Sequence, residues 1–437
     1  MAEPMPQLPW ISLALCAGLV LLLAACASHG ELEARHAPSR VEMPSPDGDF
    51  AAYVAQSKAQ IAAANRAIGK ELDPQVLEDR APFELAPDPE RCPPIADGRQ
   101  QRAALLIHGL GETPYAMRAL GERFAAACFL VRAILLPGHG TVPGDLLDVG
   151  HAAWVEATRA GAQSFAGLTE RLYLVGFASG GTLALDYALG EPPPVAPGLG
   201  GLVLLAPAIA TRSGHGRLTR DHLAPGALMP AGGFAQLLPD EDPVRYGSLA
   251  RNAERQLDAL IERVDDRERL LALPVFMALS AADAVVDSAA ARRWFCRQLI
   301  GPRVLIWYAS GTSAPDDCRF VELRASDSWP GILDLAHPAL PVAPDDRRYG
   351  AAAAYADCEH YYWETDTPAW LICADPEKMP ANSAVRYGEI TGQNLAAHVV
   401  RRLTYNPDFD ALVARILTFI AASPWPAPPL PEPKPAT

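Results

Sequence analysis

The chain has 437 residues, half of them hydrophobic, which is enough to bury a large core and to form one large domain or two. Its formal net charge of −14 at pH 7, without any basic cluster, argues against nucleic acid or an anionic membrane surface as a partner. The sequence contains no internal repeat.

The N-terminus has the pattern of a secretory targeting segment. The run ISLALCAGLVLLLAAC has the length of a signal-peptide core and is too short and wrongly flanked for a membrane-spanning helix. It ends in LAAC, which resembles the lipobox of bacterial lipoproteins, so residues 1–26 are predicted to be a lipoprotein signal peptide with Cys26 lipidated. MAEPMPQLPW departs from the pattern because it contains no Lys or Arg. A plain cleaved signal or a membrane anchor is the alternative.

The lipobox resemblance also implies a location. The residues that follow Cys26, Ala27 and Ser28, do not resemble an inner-membrane retention signal. We therefore expect an outer-membrane lipoprotein that faces the periplasm and contacts the membrane through its N-terminal lipid.

Export to an oxidising compartment changes how the other six cysteines are interpreted. An even number favours disulfides, although six cysteines allow fifteen pairings. Short loops favour two pairs and leave a third: Cys358–Cys373, Cys296–Cys318 and Cys92–Cys128. Free buried thiols are the alternative. Because there is no C-x-x-C, we expect no zinc site and no other bound metal.

The segments on either side of the main domain have simpler patterns. Residues 27–48 are predicted to be a polar tether. Residues 49–100 are predicted to be an N-terminal helical extension, whose helix begins at Phe50 and ends before Gly69. Residues 423–437 are rich in proline and are predicted to be a disordered tail.

The main domain, residues 101–205 and 274–422, alternates short apolar runs with helical patterns. Strands without polar alternation are buried on both faces, which predicts an α/β fold with a mostly parallel sheet flanked by helices. Residues 206–273 interrupt the alternation and are predicted to form a helical cap over the sheet's C-terminal edge. The predicted strands are AALLI (103–107), FLVRAIL (129–135), LYLV (172–175), GLVLL (201–205), PVFMAL (274–279) and RVLIWY (303–308).

Three motifs together resemble one superfamily. LLIHGLGETPYAMRALGERF, LLPGHGTVPGDLL and VGFASGG carry H-G-x-G, P-G-H-G and a glycine-rich turn, each after a predicted strand. The combination resembles the α/β-hydrolase superfamily, near its monoacylglycerol-lipase, lysophospholipase and serine-aminopeptidase-like branch, over roughly residues 102 to 420. The resemblance implies an α/β-hydrolase fold and hydrolysis of a carboxylic ester through an acyl-enzyme, without a cofactor.

The glycine-rich turn poses the question of the nucleophile. The pattern G-x-S-x-G places a serine between two glycines, but here Gly176 and Gly180 flank Ala178, and Ser179 comes one residue late. The tight turn tolerates only small side chains two positions before and after the nucleophile. A nucleophile at 179 would therefore bring Phe177 into collision. The register favours Ala178 at the nucleophile position, where Ser is expected, and Ser179 is the alternative nucleophile.

Acyl transfer also needs a histidine that takes the proton and a carboxylate that orients it. The superfamily's acid position falls on Asp283 in SAADAVVD, whereas Asp287 is predicted to cap the next helix. The superfamily's base, in a loop before the last helix, falls on His337. The oxyanion hole of this fold uses the amide after the nucleophile and one after an earlier strand, here those of Ser179 and Leu110.

These patterns predict an exported α/β-hydrolase of the carboxylic-ester type, with a small-molecule ester or lipid as its ligand. Ala178 puts its catalytic competence in question. The alternative is a non-catalytic module that uses the same pocket to bind lipid or a protein partner. A peptidase ranks third, because no acidic pocket for an amine is recognisable.

Overall fold

The computed structural model describes residues 32–95, 97–191, 196–211, 233–267, 269–310, 320–326, 328–364, 367–375 and 385–423. The strands are β1 (Phe83–Leu85), β2 (Gln100–Ile107), β3 (Phe129–Ile134), β4 (Thr169–Phe177), β5 (Gly198–Leu205), β6 (Phe234–Gln236), β7 (Leu249–Ala250), β8 (Val275–Ser280), β9 (Arg303–Ala309), β10 (Val321–Ala325), β11 (Val385–Gly388) and β12 (Val399–Arg402). The α-helices are α1 (Phe50–Ala67), α2 (Pro74–Arg80), α3 (Arg118–Ala126), α4 (His151–Gln163), α5 (Ser179–Leu189), α6 (Arg251–Asp265), α7 (Ser288–Gln298), α8 (Pro368–Ala374), α9 (Gly392–Ala397) and α10 (Phe409–Ala422).

An eight-stranded sheet with the order β1-β3-β2-β4-β5-β8-β9-β10 forms the centre of the molecule. The short edge strand β1 pairs antiparallel with β3, and all other neighbours are parallel. The inner strands are buried along most of their length, as the uniformly apolar runs predict. The predicted fold class, a mostly parallel sheet flanked by helices, is confirmed.

The sheet separates two halves of the hydrophobic core. On one face, Leu105 and Leu174 belong to a cluster that includes residues of α4, α5 and α7. On the other face, Leu106 and Val175 belong to a cluster that includes residues of α3 and α10. Because side chains alternate along a strand, consecutive apolar residues supply both halves. The chain order reverses at β2, so the carboxyl ends of β2 and β4 meet at a switch point, where open α/β sheets bind ligands.

The N-terminal residues are more closely integrated than predicted. Helix α1 begins at Phe50 after its cap Asp49, and Gly69 follows its end with φ +76°. The extension 49–100 also contributes β1 to the main sheet, which was not predicted. In the described part of the predicted tether, residues 32–48, Arg35 donates a hydrogen bond to the carbonyl of Leu238 (3.0 Å). In the same segment the backbone N–H of Ser39 donates to the carboxylate of Asp145 (2.6 Å).

Within the predicted cap, residues 206–273, the structure describes 206–211, 233–267 and 269–273. Strands β6 and β7 pair antiparallel, and α6 presents its apolar stripe inward. Helix α6 lies beside α5, where Arg263 and Arg267 form ion pairs with Asp186 at 2.7 Å and 3.0 Å. The described part of the cap therefore rests against a helix of the core.

A small disulfide lobe, residues 355–404, was not predicted as a separate unit. It contains α8, α9 and a parallel pair formed by β11 and β12. A disulfide joins Cys358 to Cys373 within the lobe. A second disulfide, between Cys92 and Cys128, links the N-terminal extension to the residue before β3. The first is a pair that the short spacing favours, and the second is the pair that the spacing argument leaves over.

Several sequence expectations fall partly or wholly outside the described residues. Cys296 is disulfide-bonded, but Cys318 lies outside the described part of the chain. Residues 1–31, which include the predicted signal peptide and Cys26, also lie outside it, as do residues 424–437 of the predicted tail. No helix among the described ranges combines the length and the hydropathy needed to cross a bilayer.

Candidate active site

A sharp turn connects the end of β4 to the start of α5, and Ala178 is its apex. Ala178 has φ +50° and ψ −117°, a conformation that costs a residue with a Cβ about 1–3 kcal/mol. Hydrogen bonds on both sides hold it there. Its N–H donates to the carbonyl of Leu205 (3.0 Å), and its carbonyl accepts from the N–H groups of Gly181 (3.0 Å) and Ala208 (3.1 Å). Strain of this kind persists only where the surroundings enforce it.

The two glycines around the apex have no room for a side chain. A Cβ on Gly180 would lie 2.1 Å from the carbonyl oxygen of Ile107. A Cβ on Gly176 would lie 2.3 Å from the carbonyl oxygen of Gly180. Both contacts are with backbone that cannot move aside. The pair of obligatory glycines is therefore centred on residue 178, as the register argument predicted.

Ser179 occupies a different environment from that of the apex residue. It is the first residue of α5, its side chain is buried, and its Oγ has no hydrogen-bond partner within the described part of the chain. In particular, no hydrogen bond joins this Oγ to His337.

The carboxylate of Asp283 and the imidazole of His337 lie in contact. Nδ1 of His337 is 2.7 Å from Oδ2 of Asp283, and Asp283 is fully buried. The second oxygen, Oδ1, accepts hydrogen bonds from the backbone N–H groups of Val285 (2.8 Å) and Val286 (2.9 Å). An ionised Asp283 accepts the Nδ1 proton, which leaves Nε2 of the neutral ring as the acceptor.

The ring of His337 also lies beside the turn. Its centroid is 4.8 Å from that of Phe177, the residue before the apex.

The second candidate acid, Asp287, instead accepts from the N–H of Ala290 (2.8 Å) and caps α7. The sharp turn between β4 and α5, here called the elbow, occurs together with this sheet order and with a buried His–Asp pair. The chain has an α/β-hydrolase fold.

The loop after β2 brings a second backbone segment against the elbow. A Cβ on Gly109 would lie 3.3 Å from the Cβ of Ala178. Neither the amide of Leu110 nor that of Ser179 donates a hydrogen bond within the described residues. The elbow and the loop beside it thus each contribute an unpaired backbone N–H, and an oxyanion hole requires donors of this kind.

His108 braces this loop and does not contact the His–Asp pair. Its Nδ1 lies 2.8 Å from the carbonyl of Gly109, and its Nε2 accepts from the N–H of Leu136 (3.1 Å). Burial, reinforced by the neighbouring His139, holds the pKa of His108 well below its ordinary value. The ring is therefore neutral, as its role as an acceptor requires.

Glu112, a half-buried residue, has a carboxyl group that the sequence did not single out. Its Oε2 accepts from the N–H of Gly109 (3.2 Å). Burial raises the pKa of Glu112, although the charges of Arg245 and His337 oppose the shift. Its position directly after H-G-x-G was a signal that could have identified it.

A small cleft of about 20 Å³ is lined by Glu112 and by Pro338, the residue after His337. Apolar side chains make up much of its lining, with one carboxyl and one guanidinium among them. The lining residues are Glu112, Ala116, Val244, Arg245, Pro338, Val342, Tyr349 and Thr404. The mixture of apolar and polar groups resembles that of sites for small organic ligands, but the enclosed space is close to that of a single water molecule.

A second buried carboxylate, Glu389, was also missed. Its Oε2 accepts from the backbone N–H of His337 (2.9 Å). It stands alone in VRYGEITGQN, where no motif marks it. No group of three or more His, Cys, Asp or Glu residues in the described part of the chain is arranged to hold a metal ion.

In sequence, the chain is similar to the thermostable monoacylglycerol lipase of Bacillus sp. (strain H-257), with 34% identity over 88 residues. The match covers 20% of this chain and 35% of the relative, so the chain spans about a third of that lipase. No protein-family model matches the chain. The sequence similarity supports a relationship to lipase- and esterase-like hydrolases.

Among solved structures, the chain is similar to one described with LipS and LipT, two metagenome-derived lipolytic enzymes (TM-score 0.41, 20% identity, covering 52% of this chain and 87% of the other). It is also similar to Paleococcus ferrophilus monoacylglycerol lipase (0.37, 21%, 51% and 88%). A third is a soluble variant of monoglyceride lipase from Saccharomyces cerevisiae in complex with a substrate analog (0.39, 16%, 52% and 82%). The fold assignment does not depend on these values, since the chain's own sheet order and elbow carry it.

Proposed function

We propose that the chain is an ester- or lipid-binding protein of the cell envelope, built on a lipase- and esterase-like hydrolase scaffold that lacks its nucleophile. One observation carries the proposal. The pair of Asp283 and His337 is aligned at 2.7 Å beside the elbow, while the apex residue, Ala178, has only a methyl group. The chain thus has an acid–base pair suited to acyl transfer, but it lacks the hydroxyl group that would be acylated.

The chemistry of ester hydrolysis explains how the chain can bind an ester without hydrolysing it. In a serine hydrolase the base takes the hydroxyl proton as the oxygen attacks the ester carbonyl, and two amides stabilise the oxyanion. Here His337 can accept a proton and the Leu110 and Ser179 amides are unpaired, but the Cβ of Ala178 cannot attack. Loss of the nucleophile lowers turnover by about a millionfold, while the oxyanion hole and substrate binding persist.

Two observations speak against Ser179 as a displaced nucleophile. Its hydroxyl is buried without a hydrogen bond to His337, and it is the first residue of α5, one position past the strained apex. Shifting the turn by one residue would put the ring of Phe177 where Gly176 now has no room for a single methyl group. The steric cost of that rearrangement favours Ala178.

Apolar lining residues and a sequence match support a ligand with an apolar part. Ala116, Val244 and Val342 give the small cleft an apolar surface, whereas the guanidinium of Arg245 is already bonded to other side chains of the chain. The sequence similarity to a monoacylglycerol lipase points in the same direction. We infer a monoacylglycerol or a lysophospholipid as the ligand.

Labelling with a fluorophosphonate probe tests the proposal directly. The native chain should remain unlabelled, and the Ala178→Ser variant should be labelled and should hydrolyse a short-chain p-nitrophenyl ester. Adding His337→Ala to Ala178→Ser should abolish the labelling, because the new serine then lacks its base. The Ser179→Ala variant of the native chain should remain unlabelled, like the native chain itself. Labelling of the native chain that disappears in Ser179→Ala would overturn the proposal.

The envelope location is part of the proposal and rests on the lipobox resemblance around Cys26. Metabolic labelling with an alkynyl palmitate in a bacterial host should modify the native chain and not the Cys26→Ala variant. A Cys16→Ala variant provides the matched control and should remain labelled. Equal labelling of all three chains would contradict lipidation at Cys26.

A further inference from the structure

Glu389 lies directly after β11, in the disulfide lobe, and is fully buried. Neither its place in the sequence nor the hydrolase motifs give it a role. Burying a carboxylate is costly unless hydrogen bonds and opposite charge compensate it. Its contacts therefore show what the folded chain uses it for.

Each oxygen of Glu389 has a distinct set of donors. Oε2 accepts from the backbone N–H of His337 (2.9 Å) and from that of Ala284 (3.4 Å). Ala284 follows Asp283 directly. One oxygen atom thus bridges the loop that carries the acid and the loop that carries the base.

The other oxygen, Oε1, is held by the lobe itself. It accepts from the backbone N–H of Ile390 (2.9 Å) and from Nε of Arg402 (2.8 Å) on β12. Burial alone would lower the pKa of Arg402, but the nearby Glu389 and Asp357 carboxylates outweigh burial and raise it. Arg402 therefore stays charged and orients the carboxylate through this hydrogen bond.

We propose that Glu389 is a positioning residue: held by Arg402, its carboxylate ties the Asp283 loop to the His337 loop and so sets the geometry of the acid–base pair. The proposal rests on the proposed function only in assigning Asp283 and His337 as acid and base. It also gives the disulfide lobe a function, since β12 and the residue directly after β11 supply the two members of the ion pair.

The geometry explains why a glutamine cannot replace this carboxylate. Four N–H donors converge on Glu389, two on each oxygen. A glutamine offers one acceptor oxygen and one NH₂ donor. Whichever way its amide turns, the NH₂ group faces two N–H donors, so one side of the bridge is lost.

The charges around His337 come from several elements. They are Asp283 after β8, Glu112 after β2, Asp334 upstream in the same loop, Glu389 and Arg402 of the lobe, and Arg245. Glu389→Gln removes a negative charge and leaves Asp357 as the carboxylate that acts on Arg402, and the lost negative charge disfavours an imidazolium at His337. Arg402→Gln has the opposite effect, because it leaves the negative charge of Glu389 uncompensated.

The first test uses the native chain and needs no activity. With selectively labelled histidine, NMR should detect a strongly deshielded Nδ1 proton of His337 hydrogen-bonded to Asp283, assigned through its loss in His337→Gln. Glu389→Gln should abolish or broaden this signal. The matched control, Glu322→Gln, breaks an ion pair with Arg415 on α10 and should leave the signal unchanged. Persistence of the native signal in Glu389→Gln would overturn the proposal.

The second test uses the Ala178→Ser background. Adding Glu389→Gln should lower kcat about 10- to 100-fold with KM within about threefold, because a misplaced base slows the chemical step and leaves the binding cleft intact. The acidic limb of the kcat/KM profile should move to lower pH in Glu389→Gln and to higher pH in Arg402→Gln. Arg402→Lys, which keeps the charge, should restore most of the kcat lost in Arg402→Gln.

The outcomes separate this proposal from the proposed function. If Ala178→Ser proves inactive, the proposed function fails, yet loss of the native Nδ1 signal in Glu389→Gln still supports the positioning role. If Glu389→Gln does not fold, the Arg402 variants carry both tests. A merely structural role predicts a smaller folded fraction with no opposed shifts of the pH limb, and that result would overturn the proposal.

Discussion

The carboxylate of Asp283 lies 2.7 Å from Nδ1 of His337, although 54 residues separate the two in the chain. The hydrogen bonds of Val285, Val286 and Glu389 hold both partners in place. This alignment does not depend on the side chain at the elbow. A serine introduced there would meet a base that is already oriented.

Asp283→Asn in the Ala178→Ser background should lower kcat by about 10⁴-fold, because an amide stabilises the wrong tautomer of the histidine. Ester hydrolysis measures the effect. Asp287→Asn is the matched control, since Asp287 only caps α7. It should leave kcat within twofold and lower the free energy of unfolding by about 1 kcal/mol or less. A large loss of kcat in Asp287→Asn, with kcat nearly unchanged in Asp283→Asn, would identify Asp287 as the acid.

Gly180→Ala should destabilise the native chain by about 3 kcal/mol, because the added Cβ would lie 2.1 Å from the carbonyl oxygen of Ile107. Urea denaturation gives the change in the free energy of unfolding. Gly48→Ala, where no atom lies within 4 Å of the added Cβ, should be close to neutral. Equal stability of the two variants would argue against the close approach of the elbow to β2.

Replacing Cys358 and Cys373 by serine should lower the free energy of unfolding by about 3 kcal/mol, since the disulfide closes a loop spanning 15 residues. Thermal or urea unfolding of native and variant chains, both without reductant, measures the loss. Because Nε of Arg401 donates to the carbonyl of Cys373 (2.9 Å), the loss should extend to β12. Unchanged stability and unchanged hydrogen exchange in β12 would refute this expectation.

Glu359→Gln should stabilise the chain more at pH 8 than at pH 5. Burial raises the pKa of Glu359 to about 7, although the charge of Arg245 opposes the shift. An unfolded glutamate titrates near about 4.3, so between that pH and about 7 the folded chain holds a proton that the unfolded chain has released. The contribution of Glu359 to stability is therefore present below this window and is lost as pH rises through it.

Glutamine does not titrate, so the difference in Tm between Glu359→Gln and the native chain should become more positive from pH 5 to pH 8. Differential scanning calorimetry across this range measures it. Glu322→Gln, at a partly exposed carboxylate, should show no such trend. A flat difference for Glu359→Gln would show that the carboxyl is not perturbed.

The strands that consist of long apolar runs could be predicted from the sequence. The runs at 103–107, 129–135 and 274–279 correspond to strands whose ends lie within three residues of the predicted ones, because strands buried on both faces must be apolar throughout. Strand β1 was not predicted, since three residues are too short for a recognisable pattern. The four-residue strands of the disulfide lobe were missed for the same reason.

The residues of the candidate site also differ in whether the sequence predicted them. Asp283 and His337 sit in local patterns that match the superfamily, and the spacing of Gly176 and Gly180 centres the elbow on residue 178. Glu112 and Glu389 had no comparable support. Each acquires its role from backbone N–H groups of other segments, and sequence patterns do not encode such distant pairings.

By itself, the sequence determined the α/β class and the apex of the elbow, because apolar runs and obligatory glycines are local steric requirements. Only the tertiary structure decided that the histidine meets its carboxylate with the elbow beside them. The same is true of the segment after Leu32, which lies against the core, and of the lobe that ties the acid and base loops together. Those relationships are contacts between distant segments, and they exist only once the chain has closed around its sheet.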